Sequence, residues 1–200
     1  MPALLHNRPD KPPLAVFESA SILLYLARTF DKGFRFHFED DDLEQEMLDW
    51  CFWQMSNLGP AQGNCNFWVR YRDEEQRNDF AKERYLIETK RCYQVLNDRL
   101  ATRQYIVGDK LSLADMCSQP WIRCHFWCGI DLAPYPHLEA WHDRIERLPV
   151  ILDALKVPSQ DLVTRIKQDP ELEGRIMDGM RKKREEEREK RTREEALAAE

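Results

Sequence analysis

The chain has little glycine, 7 residues in 200, and few stretches in which apolar and polar residues alternate. Both scarcities argue against a barrel or sandwich of many strands. No run approaches the ~18 consecutive apolar residues of a membrane span, so no membrane partner is expected. The first residues lack a basic segment followed by an apolar one, so no secretory signal is read there. Positive charge is not in excess: 30 Lys and Arg stand against 36 Asp and Glu, for a net charge of -6. That balance does not point to nucleic acid. The 6 cysteines fall in no evident paired framework. Together with the missing signal, this places the protein in a reducing cytoplasm.

What is present is apolar bulk. Hydrophobic residues make up 42% of the chain, with 6 Trp and 9 Phe, most of them between Phe17 and Trp141. That is enough for one good core or two small ones. Pro2 to His6 reads as a short strand, Asn7 to Pro13 as a turn, and Leu14 to Phe17 as the returning strand. Helical periodicity follows over Glu18 to Phe30, Leu43 to Asn57, Glu74 to Leu100, Ser112 to Trp127, Pro136 to Leu148 and Pro149 to Leu155. Gly59-Pro60 is expected to break the second of these. After Pro158 the composition turns to Arg, Lys and Glu. Glu186–Lys190, Glu187–Arg191 and Glu189–Arg193 are i,i+4 pairs, each worth roughly 0.2–0.5 kcal/mol on a solvated helix. Deleting Gln160 to Glu200 is therefore expected to leave thermal stability nearly unchanged.

Two local signals stand out. Leu111-Ser112-Leu113-Ala114-Asp115-Met116 is a capping box with Asp in place of the usual Glu. Its loss through Asp115→Ala is expected to cost about 0.5–2 kcal/mol. Phe17-Glu18-Ser19-Ala20-Ser21-Ile22 places a carboxylate and a hydroxyl at a helix start. There they serve either as plain caps or as a site for a ligand carrying both an ammonium and a carboxylate. Cys117, Cys124 and Cys128 share a helical face, and buried thiols acting as small apolar groups are the reading preferred over a metal site. Cys51 and Cys65 flank Gly59-Pro60, and a redox-active thiol there is the alternative to a plain core role.

The set resembles the cytosolic glutathione S-transferase family. Phe17-Glu18-Ser19-Ala20-Ser21-Ile22 is similar to the family's Glu-Ser motif, Met1-Pro2-Ala3-Leu4 to its cis-proline segment, and Ser112-Leu113-Ala114-Asp115 to the capping box of its helical domain. Pro136 to Trp141 and Arg147 to Val150 are similar to its closing helices. Gln54-Met55, Leu58 to Gly63 and Pro120 to Arg123 resemble the branch of disulfide-bond reductases and fungal nitrogen-regulatory homologues.

The resemblance implies a mainly α fold. Residues 1–31 would be the second half of a thioredoxin-like domain, a β-hairpin plus a helix. Residues 32–158 would be an all-helical C-terminal domain, and residues 159–200 a charged helical or disordered tail. It further implies glutathione as co-substrate, bound through Glu18, Ser19, Pro2 and Arg123, with Ser112 and Asp115 structural and no metal. A small apolar electrophile or a disulfide would be the second substrate, and a homodimer the assembly. The family's first strand, helix and second strand would precede Pro2, so the resemblance implies an N-terminally truncated member whose catalytic residue is unassigned. The competing expectation is a non-catalytic interaction module of the same helical fold.

Overall fold

The computed structural model describes residues 2–72 and 76–198. Strands β1 (Ala3–Arg8) and β2 (Lys11–Phe17) pair antiparallel, with Ala3 opposite Phe17 and Arg8 opposite Lys11, and form a two-stranded sheet. Both strands run further than the sequence suggests, because Pro9-Asp10 alone makes the turn. The Arg8 guanidinium donates to the Pro12 carbonyl and holds the tip, while Pro12 and Pro13 lie where a missing amide is tolerated on an edge. Helix α1 (Ser19–Phe30) follows and packs on both strands.

Helix α2 (Asp41–Trp53) starts where the Asp40 carboxylate accepts from the Leu43 amide, with Asp41, Asp42 and Glu44 in its first turn. The acids of this first turn suit the positive end of the helix dipole. Gly59-Pro60 does not break the rod. A π-helical turn (Gln54–Leu58) joins α2 directly to α3 (Gly59–Arg70), with the Gly59 amide donating to the Gln54 carbonyl. The wider turn accommodates a proline that has no amide to give. A side chain at Gly59 would also crowd the Gln54 side-chain nitrogen, which stands 3.1 Å from where its Cβ would be, with the Trp121 ring at 3.4 Å.

Helix α4 (Asp79–Leu100) is capped by the Asn78 side chain accepting from the Ala81 amide. Glu74, the expected start, lies outside the described residues. Helices α5 (Leu113–Arg123), α6 (Pro136–Glu146) and α7 (Pro149–Ala154) complete the bundle. Helix α5 ends earlier than its periodicity suggests, with Pro120 inside it, and a 3-10 turn (His125–Cys128) closed by Gly129 at φ 71 takes over. The expected single stripe of Cys117, Cys124 and Cys128 is therefore split between two elements.

Helix α5 is the centre. Leu113, Ala114, Asp115 and Ile122 are almost fully enclosed, with Met47, Tyr93, Leu96, Ile106 and Trp141 among the surrounding core. Asp115 ties this core together. Its Oδ1 accepts from the Ile106 amide (3.0 Å) and the Trp141 indole (2.9 Å), and its Oδ2 from the Ser112 amide (3.0 Å) and hydroxyl (2.9 Å). The box is thus more than a local cap, since it also fixes α6 and the segment before α5. Burial pushes the Asp115 carboxyl above its ordinary range, against four donors that favour the anion.

The tail also departs from expectation. It forms α8 (Leu162–Gln168) and α9 (Pro170–Ala198). Its first part docks: Ile166 is buried, and Glu173 pairs with Arg70 of α3 at 2.8 Å. Ile176 and Met177 are half-buried, and from Asp178 on the described residues of α9 are exposed apart from Arg184, with ion pairs that put the cation first, Lys183–Glu187, Lys190–Glu194 and Arg191–Glu195. No helix among the described residues is long and apolar enough to cross a membrane.

Candidate functional site

A cavity of about 700 Å³ opens between α1 and the rod formed by α2 and the π turn. Glu18, Ala20, Ser21, Leu24, Tyr25 and Arg28 line one side, and Cys51, Phe52 and Met55 the other. The walls are largely apolar with a few convergent polar groups, the usual make-up of a small-molecule site.

Glu18 holds its place at a backbone cost. Its φ of 71 and ψ of 132 lie in a region that residues with a Cβ rarely adopt, worth about 1–3 kcal/mol of strain. Its carbonyl accepts the Ile22 amide at 2.9 Å and so starts α1, but its side chain makes no capping hydrogen bond. The plain-cap reading of Glu18 therefore fails. The carboxylate lines the cavity instead, at the end of a helix whose first-turn amides have no intrahelical acceptor.

The other expected residues divide. Ser19 adjoins Glu18 as the first residue of α1 but is not among the lining residues. Pro2 is exposed just before β1, and the peptide bond preceding it involves Met1, outside the described residues. Ser112 and Asp115 sit in the bundle core as structural groups.

Arg123 is a correction. It is neither an exposed ion pair nor a groove residue, being only 5% exposed. Its Nε donates to both Glu146 oxygens at 2.8 and 3.0 Å, its Nη2 to the Thr164 hydroxyl at 2.7 Å, and its Nη1 to Asp161. All three nitrogens are engaged, and the enclosed side chain is not among the residues that line the cavity. Asp161 in turn caps α8 by accepting from the Val163 and Thr164 amides. Burial works against the Asp161 anion, but the Thr164 hydroxyl and Arg123 hold its carboxyl below the ordinary range.

Sequence reasoning missed Ser21, Tyr25 and Arg28 as cavity residues. A signal was there: Glu18, Ser21, Tyr25 and Arg28 follow one another at helical spacings of three and four, a polar stripe on one face. The Tyr25 hydroxyl is 2.6 Å from His6 Nδ1 of β1, and Arg28 pairs with Glu44 of α2 at 3.2 Å. Both contacts fix the cavity walls. Among the described residues no cluster of three or more His, Cys, Asp or Glu could hold a metal ion.

Residues 66–149 match the family profile described as "Glutathione S-transferase, C-terminal domain". The chain is 37% identical over 157 residues to the disulfide-bond oxidoreductase YfcG of Escherichia coli, covering 78% of this chain and 71% of that protein. Among solved structures, a glutathione transferase from Burkholderia graminis with two glutathione molecules bound per subunit superposes with TM-score 0.70 at 30% identity, over 79% of this chain and 67% of that one. A glutathione transferase from Pseudomonas putida with one glutathione disulfide bound per subunit gives TM-score 0.71 at 28% identity, over 80% of this chain and 70% of that one. The chain spans between 46% and 75% of the length of the curated relatives it matches. The box-capped central helix, the hairpin lobe and these likenesses agree: the chain belongs to the glutathione S-transferase family.

Proposed function

We propose that the protein binds glutathione at the N-terminus of α1 and acts as a glutathione S-transferase-like protein. It would conjugate the tripeptide thiol to an apolar electrophile or use it to reduce a disulfide. The observation that carries this reading is Glu18, a carboxylate held in a strained backbone, unused as a cap and lining the apolar cavity beside α1. The γ-glutamyl end of glutathione carries an ammonium and a carboxylate. Glu18 suits the ammonium, and the amides and hydroxyl at Ser19 suit the carboxylate, since the helix end favours an anion. Leu24, Phe52 and Met55 offer apolar surface to the second substrate. The relatives named as disulfide-bond oxidoreductases, and the neighbour holding glutathione disulfide, favour a disulfide there.

In this reading residues 1–31 form the glutathione-binding lobe, residues 32–158 the helical domain and residues 159–200 a charged helical tail whose first part docks on that domain, with Pro2 supporting the thiol end of the ligand. The thiol-activating residue is not assigned to this chain. Phe80 and Ile87 are exposed along one shallow groove of α4 and are the apolar surface a homodimer would cover. A cytoplasmic location fits a protein that draws on a reduced thiol pool.

Titration calorimetry tests the reading. Wild-type protein should release heat on addition of millimolar glutathione, and Glu18→Ala should lose it while remaining folded. No heat from a folded wild-type sample would count against the proposal. The second reading, an interaction module, is favoured by α9, which extends as a charged helix from Pro170 to Ala198. Conjugation of a standard aromatic electrophile by the protein would dispose of it.

A further inference from the structure

The cavity beside α1 carries opposite charges at its two ends. Glu18 stands at the start of the helix and Arg28 in its last turn, and both line the wall. Between them the helix axis rises roughly 15 Å, at ~1.5 Å per residue. A fully extended tripeptide spans roughly 11 Å. Glutathione anchored by its ammonium at Glu18 therefore leaves the Arg28 end to a second ligand. Leu24, Phe52 and Met55 supply apolar wall beside it.

Arg28 is held in place but not used up. Its Nη2 donates to Glu44 Oε1 at 3.2 Å, one contact from a guanidinium that carries five N–H donors. Its side chain is 55% exposed, whereas that of Glu44 is only 17% exposed. Glu44 has other partners in the segment before α2: its Oε2 accepts from the Phe38 amide at 3.2 Å and lies 3.7 Å from His37 Nδ1. That carboxylate stays satisfied when Arg28 turns part of its fork to a ligand. The charge around it favours an anion. Asp31 is taken by Arg35 at 3.0 Å, and Lys32 Nζ donates to the Arg28 carbonyl at 2.8 Å. Arg28, Lys32 and Arg35 thus stand at this end against Asp31 and Glu44.

We propose that the second substrate is an organic anion, with an apolar body against Leu24, Phe52 and Met55 and a carboxylate on the Arg28 guanidinium. The planar fork matches two carboxylate oxygens, and apolar surroundings strengthen such a charge-assisted pair. Arg28 then sets specificity among electrophiles or disulfides, selecting those that carry an acid. The inference rests on the reading above for the first substrate, at Glu18.

Titration calorimetry of the full chain with 4-butylbenzoate and its uncharged counterpart 4-butylbenzamide tests the inference, with and without millimolar glutathione. The wild type is expected to bind the benzoate at least tenfold more tightly than the benzamide. Arg28→Gln should weaken the benzoate at least tenfold and leave the benzamide unchanged, a selective loss that damage to the cavity wall would not produce. Arg28→Lys, which keeps the charge but not the fork, should recover part of the preference. Phe52→Ala, at an exposed side chain, should weaken both ligands alike; unchanged affinities there would place the ligands elsewhere and overturn the inference. Equal affinities of the wild type for the two ligands, or heat from neither, would also overturn it, as would a benzoate preference that survives Arg28→Gln. It falls too if Arg28→Gln weakens glutathione itself tenfold, since the guanidinium then reads the glycyl carboxylate. Glutathione titrations on the same samples keep the two claims apart. Glutathione heat without a benzoate preference sinks the anion site alone. An Arg28-dependent preference in protein that gives no heat with glutathione upholds the anion site and sinks the glutathione reading.

Discussion

The hairpin lobe and the helical bundle follow the same local rules and reach opposite outcomes. Across β1, β2 and α1 the only buried residue is Ala27, and Leu5, Phe17 and Phe30 are exposed apolar groups. Helix α5 alone encloses Leu113, Ala114, Cys117 and Ile122 together with polar Asp115, Ser118, Gln119 and Arg123. A two-stranded sheet is marginal by itself, so the lobe depends on its seat against the bundle. The difference locates stability and function in separate places. The bundle can satisfy a buried carboxylate with four donors, whereas the lobe keeps its carboxylate in a strained backbone facing an open cavity.

Four changes sharpen or break that contrast. The largest effect is expected from Asp115→Ala, which leaves the Ile106 amide, the Ser112 amide and hydroxyl and the Trp141 indole without their acceptor. Stranding buried donors costs about 1–3 kcal/mol each, and removing one member of a buried charged network about 3–5 kcal/mol. A loss of about 4 kcal/mol should appear as a lower midpoint in urea unfolding. A loss under 1 kcal/mol would show that the bundle does not hinge on this group.

The next concerns pH. His142 of α6 is buried, its Nδ1 has no partner, and burial pushes its pKa down to about 4 from 6.5. The neutral ring is the form that fits the fold, so the unfolded chain binds the extra proton between these two values. Stability is fully present above pH 6.5 and falls as pH drops toward 4, by about 3 kcal/mol in total. Thermal melts across that window should show the slope, and His142→Gln should flatten it.

The third prediction divides the tail. Deleting residues 160–200 removes Asp161 and Thr164 from Arg123 and Ile166 from the core, and should cost about 2–3 kcal/mol. Deleting residues 181–200 alone should leave the melting temperature nearly unchanged, because Arg184 is the only half-buried residue among those whose burial is described there. Equal effects from the two truncations would contradict the docking of α8. The smallest effect carries the opposite sign. Glu18→Gly relieves the positive φ at a net gain of about 1 kcal/mol after the entropy of glycine is counted. It should stabilise the protein in calorimetric melts while removing glutathione binding.

The sequence made legible what local chemistry encodes. The Ser112-Asp115 box and the pairing of a carboxylate with a helix start at Glu18 are short-range patterns, and both sit where expected. The long-range consequences were not legible. Arg123 meets Asp161 and Thr164 from far along the chain, and no spacing rule connects them. Gly59-Pro60 read as a break because a proline ends an ordinary helix, and only a wider π turn escapes that rule. The edge of the hairpin was misjudged because Asn7 to Pro13 is rich in turn formers, although Pro9-Asp10 alone suffices.

The central claim is that a strained glutamate at the start of α1 recognises the ammonium of a tripeptide thiol. Calorimetric titration of glutathione into wild-type protein and into Glu18→Gln measures it most directly. The account predicts saturable heat for the wild type and an affinity at least tenfold weaker for the variant, a difference of about 1.4 kcal/mol, with both proteins equally folded. Equal affinities for the two proteins would contradict it.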